Sequence, residues 1–132
     1  MDATLTARER EFLTEPHVGT VTTLRPDGSP HSTVVWVDAD DEGALFNTAV
    51  GRAKERYLRR DPRVSMLVLD PRDPHRWLAV DGTVELSTDG AREHIDRLHD
   101  KYVGPGSFTH APGEERVIVR IRAERIESHG LD

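Results

Sequence analysis

Six stretches of the chain predict β-strands, and tight turns join most of them. The stretches are rich in β-branched, aromatic and other apolar residues and are bounded by Gly, Pro or Asp, which is typical of strands. Short connections of this kind favour a small antiparallel barrel over a parallel sheet. The predicted strands are residues 18–24, 31–38, 44–50, 64–70, 77–87 and 116–128.

Three short helices accompany the strands. The first is predicted from Thr6 to about Leu13, because residues 6–9 have the Thr-x-x-Glu form of a capping box. A basic helix follows Gly51 and stops at Asp61-Pro62, since proline cannot continue a helix. A third opens at Thr88-Asp89. Its apolar face is predicted from helical spacing to hold Ala91, Ile95, Leu98 and Tyr102.

Two strands carry further information about the barrel. Residues 33–37 of the second strand are too continuously apolar to face water on one side, so we expect both faces to be covered. Gly82 lies inside the fifth strand, where glycine commonly marks a bulge or tight bend. The 132 residues are therefore expected to form one mainly β domain with short helices (α+β), spanning residues 1–132.

Composition excludes several classes of function. The chain has no cysteine, which excludes disulfides and thiolate chemistry. Its formal net charge of −6 argues against nonspecific nucleic-acid binding. No apolar run approaches the roughly 20 residues of a membrane span, and the polar N-terminus lacks a signal core, so we expect a cytoplasmic protein without a membrane partner. The seven histidines and the acidic turn 38–43 lack metal-ligand spacing, and no metal site is predicted.

The junction between the third strand and the basic helix has the outline of an anion site. Arg52 and Lys54 are predicted in the first helical turn, where backbone N–H groups are unpaired and the macrodipole is positive. Gly51 allows close approach of the backbone to a ligand, while Asn47 and Thr48 supply hydrogen-bonding side chains. A solvated basic helix is the alternative interpretation.

A bound cofactor would explain an anion site in a chain that lacks the motifs of nucleophilic, P-loop or zinc chemistry. Trp36 and Trp77 could each present a ring face to a flat heterocycle, or each could pack in the core. Phe108 lies in the Gly- and Pro-rich segment 103–114 and is a candidate lid or interface residue.

Taken together, these segments resemble the split β-barrel flavin- and deazaflavin-binding proteins of the pyridoxamine 5′-phosphate oxidase-like superfamily, in particular the small actinobacterial branch that uses coenzyme F420. The resemblance covers about residues 10–128. Its most specific piece is R-x-K-x-x-x-L-x-x-D-P-x-V, which begins at Arg52, and W-x-x-V-x-G-x-V, which begins at Trp77, supports it.

This resemblance implies an FMN-binding-like split barrel of six antiparallel strands, with the cofactor in a groove at the interface of a homodimer. Arg52 and Lys54 would bind the phosphate, and Thr33, Val34, Val35 and Trp36 would contact the ring system. Asn47, Thr48, Ala49 and Val50 would line the ribityl chain. Trp77 and Arg116 would lie near the same groove.

The leading functional hypothesis is an F420-dependent reductase that passes hydride from the reduced deazaflavin to an electron-poor small organic substrate. The protein would contribute positioning and electrostatics, and no residue identifies itself as the proton donor. One alternative is an FMN-dependent oxidoreductase of the same superfamily. Another is a protein that binds a flavin or tetrapyrrole-type ligand without turnover.

Overall fold

A computed structural model describes residues 2–106 and 108–132 of the chain. One antiparallel sheet of seven strands has the order β2-β1-β5-β6-β7-β4-β3 and curls into a half-barrel. The elements are α1 (Ala7–Thr14), β1 (Val18–Leu24), β2 (Pro30–Val35), β3 (Val37–Asp40), β4 (Gly43–Ala49), α2 (Ala53–Arg60), β5 (Arg63–Asp70), β6 (Asp73–Ser87), α3 (Ala91–Tyr102) and β7 (Arg116–His129).

The curl of the sheet follows from a single residue between two strands. Strands β2 and β3 are the two edges of the sheet, yet Val35 ends one and Val37 begins the other. Because two residues span at most about 7 Å, the edges must meet at Trp36. The prediction of six strands is therefore wrong by one, because residues 31–38 pair first with β1 and then with β4. A pattern of alternation cannot show that a strand changes partner.

Gly19 makes room for this change of partner. It lies opposite Val35 in the β1–β2 ladder. A Cβ added at Gly19 would overlap Cγ1 of Val37, which is fully buried on the far side of the turn at Trp36. The absence of a side chain at Gly19 thus lets the strand bend toward β4.

The interior of the barrel holds one continuous apolar cluster, which Phe12 and Leu13 of α1 close at one end. The predicted capping box begins this helix. The Thr6 hydroxyl oxygen accepts the Glu9 N–H at 3.1 Å, and the Glu9 carboxylate accepts the Thr6 N–H at 2.9 Å. The central members of the cluster are Val21, Val37, Phe46, Leu58, Met66, Val68, Leu78, Val80, Val117, Val119 and Ile121.

Two polar side chains at the end of α3 hold the Trp36 turn in place. The Lys101 ammonium donates to the carbonyls of Leu13, at 2.8 Å, and Val37. The Tyr102 hydroxyl accepts the Val37 N–H at 3.1 Å and donates to the His17 carbonyl at 2.9 Å. Burial lowers the pKa of Lys101 to about 8 and raises that of Tyr102 to about 12. These bonds join α1, α3 and the junction of the sheet edges.

Strand β6 starts earlier than expected and bends where expected. It begins at Asp73, so the predicted loop 71–76 is shorter, while the register against β7 shifts between Asp81 and Gly82 as the glycine predicted. A Cβ at Gly82 would overlap the carbonyl oxygen of Arg122.

In the described ranges no helix is long and apolar enough to cross a membrane.

We expect Gly82→Ala to destabilise the fold by at least about 2 kcal/mol, because the added methyl meets backbone rather than a movable side chain. Urea unfolding measures the effect. Gly28→Ala is the control: Gly28 has φ 85° with nothing within 4 Å of an added Cβ, so that variant loses stability only through the strained backbone, about 1 kcal/mol. Equal losses in the two variants would contradict the close approach of β6 and β7.

Lys101 should make stability depend on pH in the alkaline range. Its folded-state pKa of about 8 lies below the ordinary value of 10.5. Between these values the unfolded chain holds a proton that the folded chain has released, so stability due to Lys101 rises with pH. The free energy of unfolding of wild type, measured against Lys101→Met, should increase across this window. A difference that is independent of pH would show that the ammonium is not desolvated.

Candidate functional site

An open cleft of about 200 Å³ lies where β2, β4, the start of α2, α3 and β7 meet. Cationic groups and aromatic or aliphatic groups both contribute to its wall. Within the described residues no Asp or Glu lines it. The lining residues are Val34, Val35, Trp36, Asn47, Thr48, Arg52, Lys54, Ile95, Phe108 and Arg116.

Three cations surround the cleft, and they repel one another. Burial is the largest cause of the lowered pKa of Lys54, and the positive charges of Arg52 and Arg116 lower it further. Arg116 is buried, and its Nη1 donates to the Glu114 carboxylate at 2.7 Å. Like charges held together at a partly desolvated position are stabilised when an anion joins them. The cleft therefore has one end suited to a phosphate or carboxylate.

Two of these cations, Arg52 and Lys54, lie at the start of helix α2. Gly51 turns the chain with φ 91°, and its N–H donates to the buried carboxylate of Glu55 at 2.8 Å. That carboxylate also pairs with Arg59. Arg52 is the N-cap of α2 and not, as predicted, a residue of its first turn; among the described residues its side chain makes no capping bond. Lys54 lies within the first turn. The unpaired N–H groups there add to the positive potential.

Thr48 offers an unused hydrogen-bonding group at the cleft. The residue is 2% exposed, and within residues 2–106 and 108–132 its buried Oγ1 has no hydrogen-bond partner. An unpaired buried hydroxyl costs free energy unless a ligand or water satisfies it. Thr48 and the cationic end thus both fit a phosphorylated ligand that carries hydroxyl groups.

Asn47 belongs to a buried chain of hydrogen bonds behind the cleft. Its amide oxygen accepts from Arg116 Nε at 2.8 Å, and its Nδ2 donates to the Ala91 carbonyl at 2.9 Å. Nδ2 is also 3.1 Å from His94 Nδ1, and His94 Nε2 is 3.1 Å from Asp38 Oδ2. Burial alone would raise the pKa of Asp38, but hydrogen bonds from His94 and the Ala39 N–H bring it below its usual value.

His94 and Ile95 are site neighbours that the sequence analysis did not assign to the site. His94 received no role from the sequence beyond its exclusion as a metal ligand; the structure buries it, with 1% exposed, between Asn47 and Asp38. His94 lies three residues after Ala91 and four before Leu98, and this spacing places it on the apolar face of α3. The spacing was the signal in the sequence from which its burial could have been predicted.

Aromatic rings form the other part of the cleft wall. Trp36 stacks on Tyr102 with ring centres 5.5 Å apart and planes 6° apart, and Phe108 meets it edge-on at 6.2 Å. The Arg116 guanidinium lies over the Phe108 ring, 5.0 Å from its centre. Trp36 thus packs against α3 and also lines the cleft, and its contact with a heterocycle stays a prediction.

Eight of the twelve predicted site residues line this cleft: Val34, Val35, Trp36, Asn47, Thr48, Arg52, Lys54 and Arg116. In the described structure the other four lie outside the lining. Thr33 precedes the lining residues on β2, Ala49 ends β4, and Val50 follows that strand. Trp77 stacks on His129 and lines a separate concavity with Leu67, Leu69 and Pro74.

Removing one cation should change the titration of another. We expect Arg52→Ala to raise the pKa of Lys54, because it removes a neighbouring positive charge. NMR titration of the labelled lysine side chain measures this pKa. Arg59→Ala, which removes a charge paired with Glu55 on the same helix, should leave it nearly unchanged. An unchanged pKa in Arg52→Ala would mean that the two cations do not share one site.

The chain matches the family model of pyridoxamine 5′-phosphate oxidase over residues 5–130. It is 28% identical over 117 residues to the F420H(2)-dependent biliverdin reductase of Mycobacterium tuberculosis (strain CDC 1551 / Oshkosh), an alignment that covers 87% of this chain and 81% of that protein. It is 35% identical over 82 residues to the pyridoxine/pyridoxamine 5′-phosphate oxidase of Azorhizobium caulinodans, covering 61% of this chain and 38% of that enzyme.

A solved structure described as an F420 reductase superposes with a TM-score of 0.79 at 34% identity, covering 89% of this chain and 94% of that chain. Two of these three similar proteins are named for F420, which agrees with the branch that the sequence resembles. The relatives with named activities are oxidoreductases. The resemblance inferred from the motifs at Arg52 and Trp77 is confirmed. The chain belongs to the pyridoxamine 5′-phosphate oxidase family.

Proposed function

We propose that this protein is a coenzyme F420-dependent oxidoreductase that reduces an electron-poor small organic substrate. The cleft supports this proposal, because Arg52, Lys54 and Arg116 form a cationic end beside the aromatic wall at Trp36. A deazaflavin cofactor has the matching parts, an anionic tail and a flat heterocycle. The similarity to two proteins named for F420 supports the choice of cofactor.

Each part of the cleft has a proposed role in binding. Arg52 and Lys54 bind the phosphate by charge-assisted hydrogen bonds. Thr48 Oγ1, which lacks a partner among the described residues, faces the polyol, with Asn47, Ala49 and Val50 lining the chain beside it. The strand from Thr33 to Trp36 lies along the ring system.

The proposed chemistry relies on the cofactor for the hydride and on the protein for geometry. Reduced F420, when bound, supplies a hydride to the substrate, and a proton from water completes the reduction. Trp36, Ile95 and Phe108 exclude water from the ring-binding part of the cleft. The cationic residues fix the position of the phosphate, and the ribityl chain of the cofactor then limits where the ring, and hence the substrate, must lie.

A second copy of the chain is proposed to complete the site. Val34 lines the cleft yet is 71% exposed, and Leu67 on β5 is 43% exposed. Exposed apolar side chains of this size on neighbouring parts of a sheet are typical of a covered surface. In such a homodimer Trp77, which lies away from the cleft of its own chain, would be available to the partner's cleft.

FMN is the second candidate cofactor, and the 35% identity to a pyridoxine/pyridoxamine 5′-phosphate oxidase favours it. FMN shares the phosphate and the ribityl chain with F420, so the cationic end and Thr48 fit either one. With FMN bound, the protein would remain an oxidoreductase, with oxygen or a nicotinamide as redox partner.

Lys54→Ala should weaken cofactor binding by about 10- to 150-fold, because a charge-assisted phosphate contact is worth roughly 1.5–3 kcal/mol. Titration with oxidised F420, and separately with FMN, followed by ligand fluorescence measures the affinity. Arg56→Ala is the matched control: Arg56 is exposed on the same helix and bonds the Gly51 carbonyl instead of lining the cleft. Wild-type affinity in Lys54→Ala would place the cofactor elsewhere.

The outcome also separates the candidate functions. Preference for F420, followed by turnover of electron-poor substrates with the reduced cofactor, supports the reductase; biliverdin belongs in that panel because a similar protein reduces it. Preference for FMN assigns the protein to the flavin-dependent oxidoreductases. Binding without turnover of any substrate in the panel would contradict an enzymatic role.

A further inference from the structure

The buried hydrogen bonds behind the cleft connect four side chains from four elements. Arg116 of β7 donates to Asn47 of β4, which contacts His94 of α3, which contacts Asp38 of β3. Arg116 and Asn47 line the cleft, whereas His94 and Asp38 lie outside its described lining. The proposed function uses the first two residues and leaves the second two without a role.

The donors and acceptors in this network of hydrogen bonds fix one arrangement of protons. Arg116 Nε can only donate and the Ala91 carbonyl can only accept, so the Asn47 amide is oriented at both ends. Its remaining N–H then points at His94 Nδ1, 3.1 Å away, which must accept. His94 is therefore neutral with its hydrogen on Nε2, and this hydrogen is donated to Asp38 Oδ2.

We propose that His94 is a positioning residue whose neutral form holds Asn47, and through it Arg116, in the geometry that binds the anionic ligand, so that protonation of His94 weakens ligand binding. This inference rests on the proposed function for the identity of the ligand, but the arrangement of protons does not depend on it. It adds a dependence on pH that the three cations of the cleft would not produce by themselves.

If His94 is protonated, no arrangement of these side chains satisfies every hydrogen bond in the network. A hydrogen on Nδ1 would face the Asn47 N–H group, donor against donor. Rotating the amide to relieve this conflict would turn its N–H group toward Arg116 Nε and its oxygen toward the Ala91 carbonyl. One proton on His94 therefore breaks either the contact between His94 and Asn47 or, if the amide rotates, the bond from Arg116 to Asn47.

The charged groups around His94 come from three elements. The Asp38 carboxylate on β3 lies 3.1 Å from Nε2. Arg116 of β7 is joined to the ring through Asn47, and Lys101, on the same helix as His94, acts electrostatically on Asp38.

The test compares two variants with wild type from about pH 5 to pH 8. His94→Asn places an amide oxygen close to the position of Nδ1, where it accepts from Asn47 but does not titrate. His94→Leu removes the acceptor and keeps an apolar side chain in the buried site. FMN and oxidised F420 serve as probes, and urea unfolding shows that each variant is folded at every pH used.

We expect wild-type affinity for whichever probe binds to fall on acidification relative to His94→Asn, by up to about tenfold per pH unit, the limit for one coupled proton. Titration of the probe itself cancels in this comparison. His94→Leu should bind weakly at every pH, and His94→Asn should restore affinity at neutral pH. Parallel pH profiles for wild type and His94→Asn would overturn the proposal.

Nitrogen NMR of the ligand-free protein tests the same inference apart from the proposed function. His94 should show a protonated Nε2 and an unprotonated Nδ1, and the Arg116 Nε–H resonance should move as His94 titrates in wild type but stay fixed in His94→Asn. If neither probe binds but these signals appear, the proposed function fails and the positioning role stands. A hydrogen on Nδ1 at neutral pH would overturn it.

Discussion

The change of partner of one extended segment at Trp36 is the constraint on which the rest of this structure depends. Because Val35 and Val37 belong to opposite edges of a seven-stranded sheet, the sheet must curl until the edges meet. Gly19 supplies the space for the turn, and Lys101 and Tyr102 bind the backbone of Val37. The cleft is a consequence of this junction, since Trp36 itself forms part of the wall.

Two carboxylates support the segments that carry the cations of the cleft. Glu55 is buried under the start of α2, where it holds the Gly51 N–H and pairs with Arg59, and Glu114 pairs with Arg116. Neither carboxylate lines the described cleft. The fold thus brings the cations together without a carboxylate in the described lining, and burial, with the charges of Arg52 and Arg116, lowers the pKa of Lys54.

Local patterns in the sequence predicted those features that depend on neighbouring residues. The capping box at Thr6, the bulge at Gly82 and the cations at the start of α2 each follow from a few adjacent residues, and each is present. The seventh strand and the role of His94 depend on contacts between distant segments. His94 meets Asn47 across 47 positions and Asp38 across 56. Hydrophobic periodicity reports which face of an element is buried and carries no information about its partner.

We propose that a phosphorylated flavin or deazaflavin lies in the cleft at Trp36 with its phosphate among Arg52, Lys54 and Arg116. A crystal structure with F420 or FMN bound is the decisive measurement. We expect the phosphate within hydrogen-bond distance of Lys54 Nζ, a hydrogen bond from Thr48 Oγ1 to the ligand, and the ring beside Trp36. A ligand whose phosphate lies away from Lys54, for example in the concavity at Trp77, would contradict it.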